Sequence, residues 1–144
     1  MVAASRLEGA ALEKFRLLCL QYKGVAGIYS IQNLINGKRY YGQSLDIYRR
    51  WFYQHIKEPF SDNKKKRARS KHLYRAIRKY GTANFKFKVV AVVDEPDEHI
   101  RIDKMNVLEK AFIALFNTCH GEGYNHDEGG KNGRPSAESR AKRS

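Results

Sequence analysis

The feature that most constrains the fold is a turn signal between two strand-forming runs. Asn36-Gly37 separates Val25–Gln32 from Lys38–Gly42, and both flanking runs are rich in aromatic or β-branched residues. Asn and Gly both tolerate a positive φ, which the tightest hairpin turns require. The sequence therefore predicts an antiparallel hairpin over residues 25–43.

Helical periodicity covers most of the remaining chain. Apolar residues recur at three- and four-residue spacing in Leu7–Gln21, Leu45–Ile56, the segment from Leu73 to Tyr80 that Gly81 closes, and Arg101–Phe116. Phe85–Val93 alternates aromatic and lysine residues at its start, which predicts a third strand. The polar residues 59–70 predict a loop, and the segment from Pro135 onward is able to start another helix.

This order of elements predicts the fold class α/β (α+β). We expect one domain with a small three-stranded, largely antiparallel sheet flanked by helices. Residues 1–23 are predicted to form an N-terminal helical extension, 24–130 the main domain, and 131–144 a basic flexible tail.

The charge of the chain points to an anionic partner. Twenty-eight Lys and Arg face fifteen Asp and Glu, a net charge of +13. Eleven of the basic residues lie between Asn63 and Val93, a stretch with no acid. We interpret this stretch as a phosphate-contacting surface, with a solvated helix face as the alternative. Nucleic acid is favoured over an acidic membrane surface, and a role in solubility alone is the remaining alternative.

Two observations predict an intracellular protein, cytoplasmic or nucleoid-associated. No apolar run reaches the ~18 residues that a membrane-spanning helix needs. Cys19 and Cys119 do not form a CxxC pair, so two free thiols are expected in place of a zinc or redox motif.

Glu109 is the most informative single residue. Phe112, Ile113 and Phe116 follow it at helical spacing, which places its carboxylate along an apolar face. Such a carboxylate loses hydration and needs compensation. A divalent cation and a salt bridge to Arg50 or Lys110 are equally good explanations at this level.

The hairpin and the helix after it add further candidates. The hairpin carries Tyr29, Tyr40 and Tyr41, whose ordinary explanation is strand packing. On a helical wheel Arg50 lies off the apolar arc of its helix, either as a surface cation or within reach of a bound phosphate. A guanidinium suits a phosphoryl group because it bonds two oxygens at once.

These residues resemble the signature of the GIY-YIG endonucleases. Gly27-Ile28-Tyr29 and Tyr40-Tyr41-Gly42 are similar to its two triplets, with Tyr where the second triplet has Ile. Arg50-Trp51, the segment 70–81, Glu109 and Gly123-Tyr124-Asn125 resemble the rest of the family pattern. The resemblance covers roughly residues 24–130, and homing endonucleases are the most similar subgroup. As the alternative to a flexible tail, residues 131–144 resemble the start of a DNA-binding module that follows this domain in homing enzymes.

The resemblance implies a metal-dependent endonuclease acting on double-stranded DNA, with no small-molecule cofactor and no membrane. It implies one Mg²⁺ (or Mn²⁺) held by Glu109 and a water that attacks phosphorus in line. Tyr29 would act as general base or orient that water, and Tyr40 would position the phosphate or the nucleophile. Arg50 would stabilise charge on the phosphate, and Asn125 would brace the site by hydrogen bonds.

The family histidine is the main departure. Homing members often have His four residues after the arginine, where this chain has Gln54. His55 follows, but on the wheel it falls within the apolar arc, so we interpret it as a core histidine. His72, which precedes the apolar residue of the next helix, is the second candidate for a catalytic histidine.

Other functions remain open from the sequence. A restriction or repair nuclease of the same family, or a non-catalytic nucleic-acid-binding module, is the alternative to a homing-like enzyme. The recognition sequence, the cut stagger and the oligomeric state are not predicted.

Overall fold

The structure is a computed structural model that describes residues 6–130, so the predicted tail and any helix from Pro135 lie outside the described residues. Its centre is a three-stranded antiparallel sheet in the order β2-β1-β3. The strands are β1 (Gly27–Asn33), β2 (Arg39–Ser44) and β3 (Phe85–Val92). The predicted fold class is confirmed.

The predicted hairpin is present, but its turn is longer than two residues. The amide of Asn33 donates to the carbonyl of Lys38 at 2.9 Å, which leaves a four-residue loop, 34–37, between the strands. Only Gly37 in this loop has a positive φ, of 79°. Asn36 contributes through its side chain, whose Oδ1 accepts from the Lys38 amide at 2.9 Å.

Helices surround the sheet. The α-helices are α1 (Gly9–Leu20), α2 (Lys64–Ala68), α3 (Lys71–Tyr80) and α4 (Glu98–Phe116). A π-helix spans Arg49–His55, and single 3₁₀ turns span Glu58–Phe60 and Thr82–Asn84. None of the helices within residues 6–130 combines the length and the apolar character needed to cross a bilayer.

Two of the predicted elements were wrong in detail. Residues 59–70 are not all loop, because α2 forms there and Asn63 caps it by accepting from the amides of Lys65 and Lys66. The predicted helix over Leu45–Ile56 is mostly a π-helix, in which backbone hydrogen bonds span five residues.

The alternation of side chains along the strands divides the core into two clusters. Tyr29, Ile31 and Phe87 point to the face that α1, the π-helix and α3 cover, together with Trp51 and Leu73. Ile28, Tyr41, Met105 and Ile113 pack on the opposite face, under α4. Because α4 contacts the sheet mainly through the edge strand β2, residues of both layers meet along that edge.

Candidate active site

Two phenols lie next to each other on one face of the hairpin. In the strand register Tyr29 lies opposite Gly42, and Tyr40 lies opposite Ile31, so the two tyrosines are diagonal neighbours. Their ring centroids are 6.2 Å apart. A Cβ atom at Gly42 would stand 2.6 Å from the Tyr29 hydroxyl and 2.8 Å from the Tyr40 ring. Only glycine at this position leaves space for both phenols.

The π-helix brings two more polar groups to these phenols. Within its turn the amide of Ile56 donates to the carbonyl of Trp51, five residues back, at 3.0 Å. His55 Nε2 lies 2.6 Å from the Tyr29 hydroxyl. The Arg50 guanidinium lies close enough to Tyr29 and Tyr40 to interact electrostatically with both. In an α-helix, residue i+5 lies about 140° around the axis from residue i, so the π geometry is what places Arg50 and His55 on one side.

Burial keeps the tyrosines and the histidine neutral. Tyr29 is fully buried, and this raises its pKa well above the ordinary tyrosine value, against the opposing effect of the Arg50 charge. Burial also raises the pKa of Tyr40. For His55, burial and then Arg50 lower the pKa well below the ordinary histidine value. The hydrogen bonds of the two tyrosines and the histidine therefore join neutral donors and acceptors, and Arg50 supplies the positive charge beside them.

Glu109 on α4 supplies the negative charge of the site. Its half-buried carboxylate accepts from the Gly130 amide through Oε1 at 2.7 Å. Within residues 6–130, neither arginine nor lysine forms an ion pair with it, so the predicted salt-bridge explanation is not what the structure shows. The carboxylate does interact electrostatically with Arg50, Tyr29 and Tyr40. Phenol, guanidinium and carboxylate thus converge from three distant segments.

A comparison with protein families decides what this arrangement is. The model described as the GIY-YIG catalytic domain matches residues 25–125, most of the chain. This chain belongs to the GIY-YIG family. The resemblance inferred from the two triplets is therefore confirmed.

Solved structures give the same fold. One is a variant of the catalytic domain of intron endonuclease I-TevI, 26% identical, with a TM-score of 0.54 over 72% of this chain and 95% of that chain. A second structure of the catalytic domain of homing endonuclease I-TevI is 23% identical, with a TM-score of 0.54 over 71% of this chain and 98% of that chain. The comparison with curated protein sequences returned no match.

The donor set of this GIY-YIG domain fits a magnesium site of the kind that substrate completes. Within residues 6–130 no cluster of three or more His, Cys, Asp or Glu side chains is arranged around a metal position. Mg²⁺ is nevertheless commonly held by one or two carboxylates, with waters and substrate phosphates filling its octahedron. Burial raises the pKa of Glu109, and the nearby negative charge of Asp127 adds to this shift, while the Gly130 amide and Arg50 act in the opposite direction. A cation at Glu109 would offset both burial and the like charge.

Asn125 lies behind β2 and does not contact the phenols directly. Its Oδ1 accepts from the Tyr41 amide at 2.9 Å and from the Thr118 hydroxyl at 2.7 Å, while its Nδ2 donates to the Tyr41 carbonyl at 2.8 Å. The side chain thus holds β2 between Tyr40 and Gly42. This geometry is that of a structural brace.

His72 occupies a different part of the surface. It is exposed on α3, its ring centroid lies 5.5 Å from that of His126, and it lines a cavity with Lys38 and Arg75. Burial and then the neighbouring charge of Lys71 lower its pKa. The structure places His72 outside the group formed by Tyr29, His55 and Tyr40.

Sequence reasoning gave too little weight to one residue and missed two. His55 is buried as expected of a core histidine, yet it is also bonded to Tyr29. Tyr74 and Glu58, which lie behind His55, were not considered as site residues. The available signal was the offset of the histidine by one residue from the family spacing, since an extra residue in a helix is what a π-turn accommodates.

Proposed function

We propose that this GIY-YIG domain is a Mg²⁺-dependent, homing-endonuclease-like enzyme that hydrolyses phosphodiester bonds in double-stranded DNA. The observation that carries the proposal is the convergence of Tyr29, Tyr40, Arg50 and Glu109. Both solved structures to which the chain is similar are catalytic domains of an endonuclease, which supports the same reaction class.

The two phenols have different access to substrate. Tyr29 has no exposed surface, whereas Tyr40 is partly exposed. We therefore assign contact with the attacking water or the phosphate to Tyr40. Tyr29 orients this group from behind, with its hydroxyl bonded to His55 and within the electrostatic influence of Arg50.

Arg50 and Glu109 complete the proposed chemistry. A guanidinium with two parallel N–H donors matches the oxygens of a phosphate on which negative charge increases in the transition state. Glu109 would hold Mg²⁺, with Mn²⁺ as a substitute that prefers similar oxygen ligands. When bound, the metal supplies charge neutralisation at the phosphate and the leaving oxygen.

Metal removal tests the proposed reaction. We expect supercoiled plasmid to be nicked or linearised in Mg²⁺ or Mn²⁺, and to remain supercoiled with excess EDTA. Equal cleavage in EDTA would contradict the metal assignment. DNA binding without cleavage under any divalent metal would identify a binding module, and one short, strict cut site in mapped ends would identify a restriction enzyme.

The acid-free basic stretch does not form one surface. Lys71, Arg75 and Lys79 are exposed on α3, on the side of the sheet where the phenols lie. Lys86 and Lys88 alternate with Phe85 and Phe87 on β3, so they project from the opposite face and line a separate groove with Arg39. The exposed face of α3 is therefore the proposed DNA-contacting surface.

We expect the double substitution Arg75→Ala/Lys79→Ala to weaken DNA binding uniformly across sequences. Each lost phosphate contact lowers the slope of log affinity against log salt by about 0.9, so the slope should fall by about 2. Fluorescence anisotropy over a salt series measures it. The matched control is Lys86→Ala/Lys88→Ala, which removes the same charge from the other face. Equal slopes for the two variants would show that α3 is not the contact surface.

A further inference from the structure

A chain of buried hydrogen bonds continues behind the active-site phenols. The Nδ1 atom of His55 lies 3.1 Å from the Tyr74 hydroxyl, and that hydroxyl donates to Glu58 Oε1 at 2.8 Å. The other carboxylate oxygen of Glu58 accepts from Arg69 at 2.7 Å. His55, Tyr74 and Glu58 are 2%, 1% and 5% exposed, so water does not compete for these bonds.

The directions of these bonds follow from the number of protons available. The carboxylate of Glu58 only accepts, so the single hydroxyl proton of Tyr74 is committed to it. The Tyr74 oxygen must then accept from His55, which places the imidazole proton on Nδ1. In a neutral imidazole the other nitrogen is an acceptor, and Nε2 therefore takes its hydrogen bond from the Tyr29 hydroxyl.

This order has a consequence for Tyr29. Once its only proton points to His55, the oxygen lone pairs are left for the other neighbours of this hydroxyl, which include Arg50 and Tyr40. If the imidazole proton were on Nε2, Tyr29 would accept from His55 and its own proton would turn toward Arg50, an unfavourable contact. The state of His55 thus sets whether Tyr29 accepts or donates within the site.

We infer that Tyr74 and Glu58 are positioning residues that hold His55 as the Nδ1–H tautomer and thereby orient the Tyr29 hydroxyl for phosphodiester cleavage. The inference rests on the proposed nuclease function, because it assigns Tyr29 a part in that reaction. Neither Tyr74 nor Glu58 touches the substrate side of the site. Their effect passes through His55, as that of a buried carboxylate passes through a catalytic histidine in a triad.

Two variants should reverse the imidazole proton. Tyr74→Phe removes the hydroxyl that bonds Nδ1, and among residues 6–130 no second acceptor bonds this nitrogen, so a proton there would be buried without an acceptor. Glu58→Met removes the acceptor of the Tyr74 proton, which then turns to Nδ1 and forces the imidazole proton onto Nε2. Glu58→Gln retains an acceptor oxygen for Tyr74 and should preserve the Nδ1–H form. Arg69 is largely exposed, so losing its partner has little effect in any of these.

Imidazole ¹⁵N resonances measure the tautomer directly, because protonated and unprotonated ring nitrogens have well-separated shifts. The His55 signals are assigned through contacts with the Tyr29 and Tyr74 rings, whose centroids lie 5.5 and 5.7 Å away. We expect Nδ1–H in the wild type and in Glu58→Gln, and Nε2–H in Tyr74→Phe and Glu58→Met. Plasmid nicking in Mg²⁺ should fall about 10- to 100-fold in the latter two.

Tyr124→Phe is the matched control. It also removes a hydroxyl from a buried tyrosine, but one that bonds Asn33 and Asn36 at the hairpin turn and not His55. It should leave the His55 resonances and the nicking rate unchanged. An unchanged tautomer in folded Tyr74→Phe overturns the inference, and so does a reversed tautomer with wild-type nicking. If the wild-type protein does not cut DNA, the proposed function fails, and the ¹⁵N spectra still decide the tautomer assignment separately.

Discussion

Replacing Glu109 by Gln should reduce plasmid cleavage by at least about 10³-fold, because the side chain loses the charge that we propose holds Mg²⁺. Metal stabilisation of a phosphoryl transition state contributes several kcal/mol, and each 1.4 kcal/mol is about tenfold in rate. Binding of DNA in EDTA should not weaken, since the substitution removes a negative charge that repels phosphate. Nicking rates and anisotropy on the same protein measure the two effects.

The thermal stability of Glu109→Gln distinguishes a loss of metal binding from misfolding of the variant. The pKa of Glu109 is raised by burial, so the folded state binds its proton more tightly than the unfolded state does. The associated stability is present below the unfolded pKa and is lost as the pH rises through the folded pKa. At neutral pH the charged carboxylate therefore costs stability in the absence of metal, and Glu109→Gln should melt at the same temperature or higher.

The matched control is Asp103→Asn, which makes the same chemical change on an exposed residue of α4. It should cleave like the wild type. Normal cleavage by a folded Glu109→Gln protein would show that the metal is held elsewhere or is not needed.

The sheet and its two faces were predictable from local pattern. Alternation along a strand determines that Tyr29 and Ile28 point to opposite faces, and the structure separates them into different clusters. The loop length was not predictable in the same way. An Asn-Gly pair fits several hairpin turns. In the structure the hydrogen bond between Asn33 and Lys38 closes a four-residue loop instead of a two-residue turn.

The position of His55 was not predictable from periodicity. The helical wheel assumes 3.6 residues per turn, and this assumption separates His55 from Arg50. The packing of Trp51 against Tyr29 and Phe87 anchors the middle of this segment, and the π-turn accommodates one more residue around that anchor. Tertiary packing, not local propensity, therefore decides which side chains face Tyr29.

The hydrogen bonds of Glu109 and Tyr74 also depend on tertiary structure. Nothing in the sequence around Glu109 predicts that its oxygen accepts from Gly130, which lies 21 residues further along the chain. Similarly, the sequence places Tyr74 on the apolar face of α3 but does not predict the partners of its hydroxyl. The folded chain brings His55 and Glu58 within hydrogen-bond distance of it. Hydrogen-bond networks of this kind depend on distances that only the folded chain defines.

Arg50→Ala should lower the cleavage rate by about 10²- to 10³-fold, the usual effect of removing one preorganised donor to transition-state charge. Arg50 is half-buried beside Tyr29, where water replaces a guanidinium poorly. The cleavage rate of Arg50→Lys should lie between those of the wild type and Arg50→Ala, because lysine keeps the charge and lacks the two parallel N–H donors. Single-turnover nicking rates at saturating protein isolate the chemical step from DNA binding.

Arg49 provides the comparison that makes this result interpretable. It is the preceding residue of the same π-helix and carries the same charge, but its side chain is exposed. Arg49→Ala therefore changes the long-range attraction for DNA as much as Arg50→Ala does. It should leave the single-turnover rate within about twofold of the wild-type rate, because surface charges screened by salt act mainly on association. If both variants lost the same single-turnover activity, the effect would not depend on the position of Arg50 beside the phenols. A loss of activity in Arg50→Ala alone would show that cleavage needs a guanidinium at one position beside the phenols, the position in which the π-turn places Arg50.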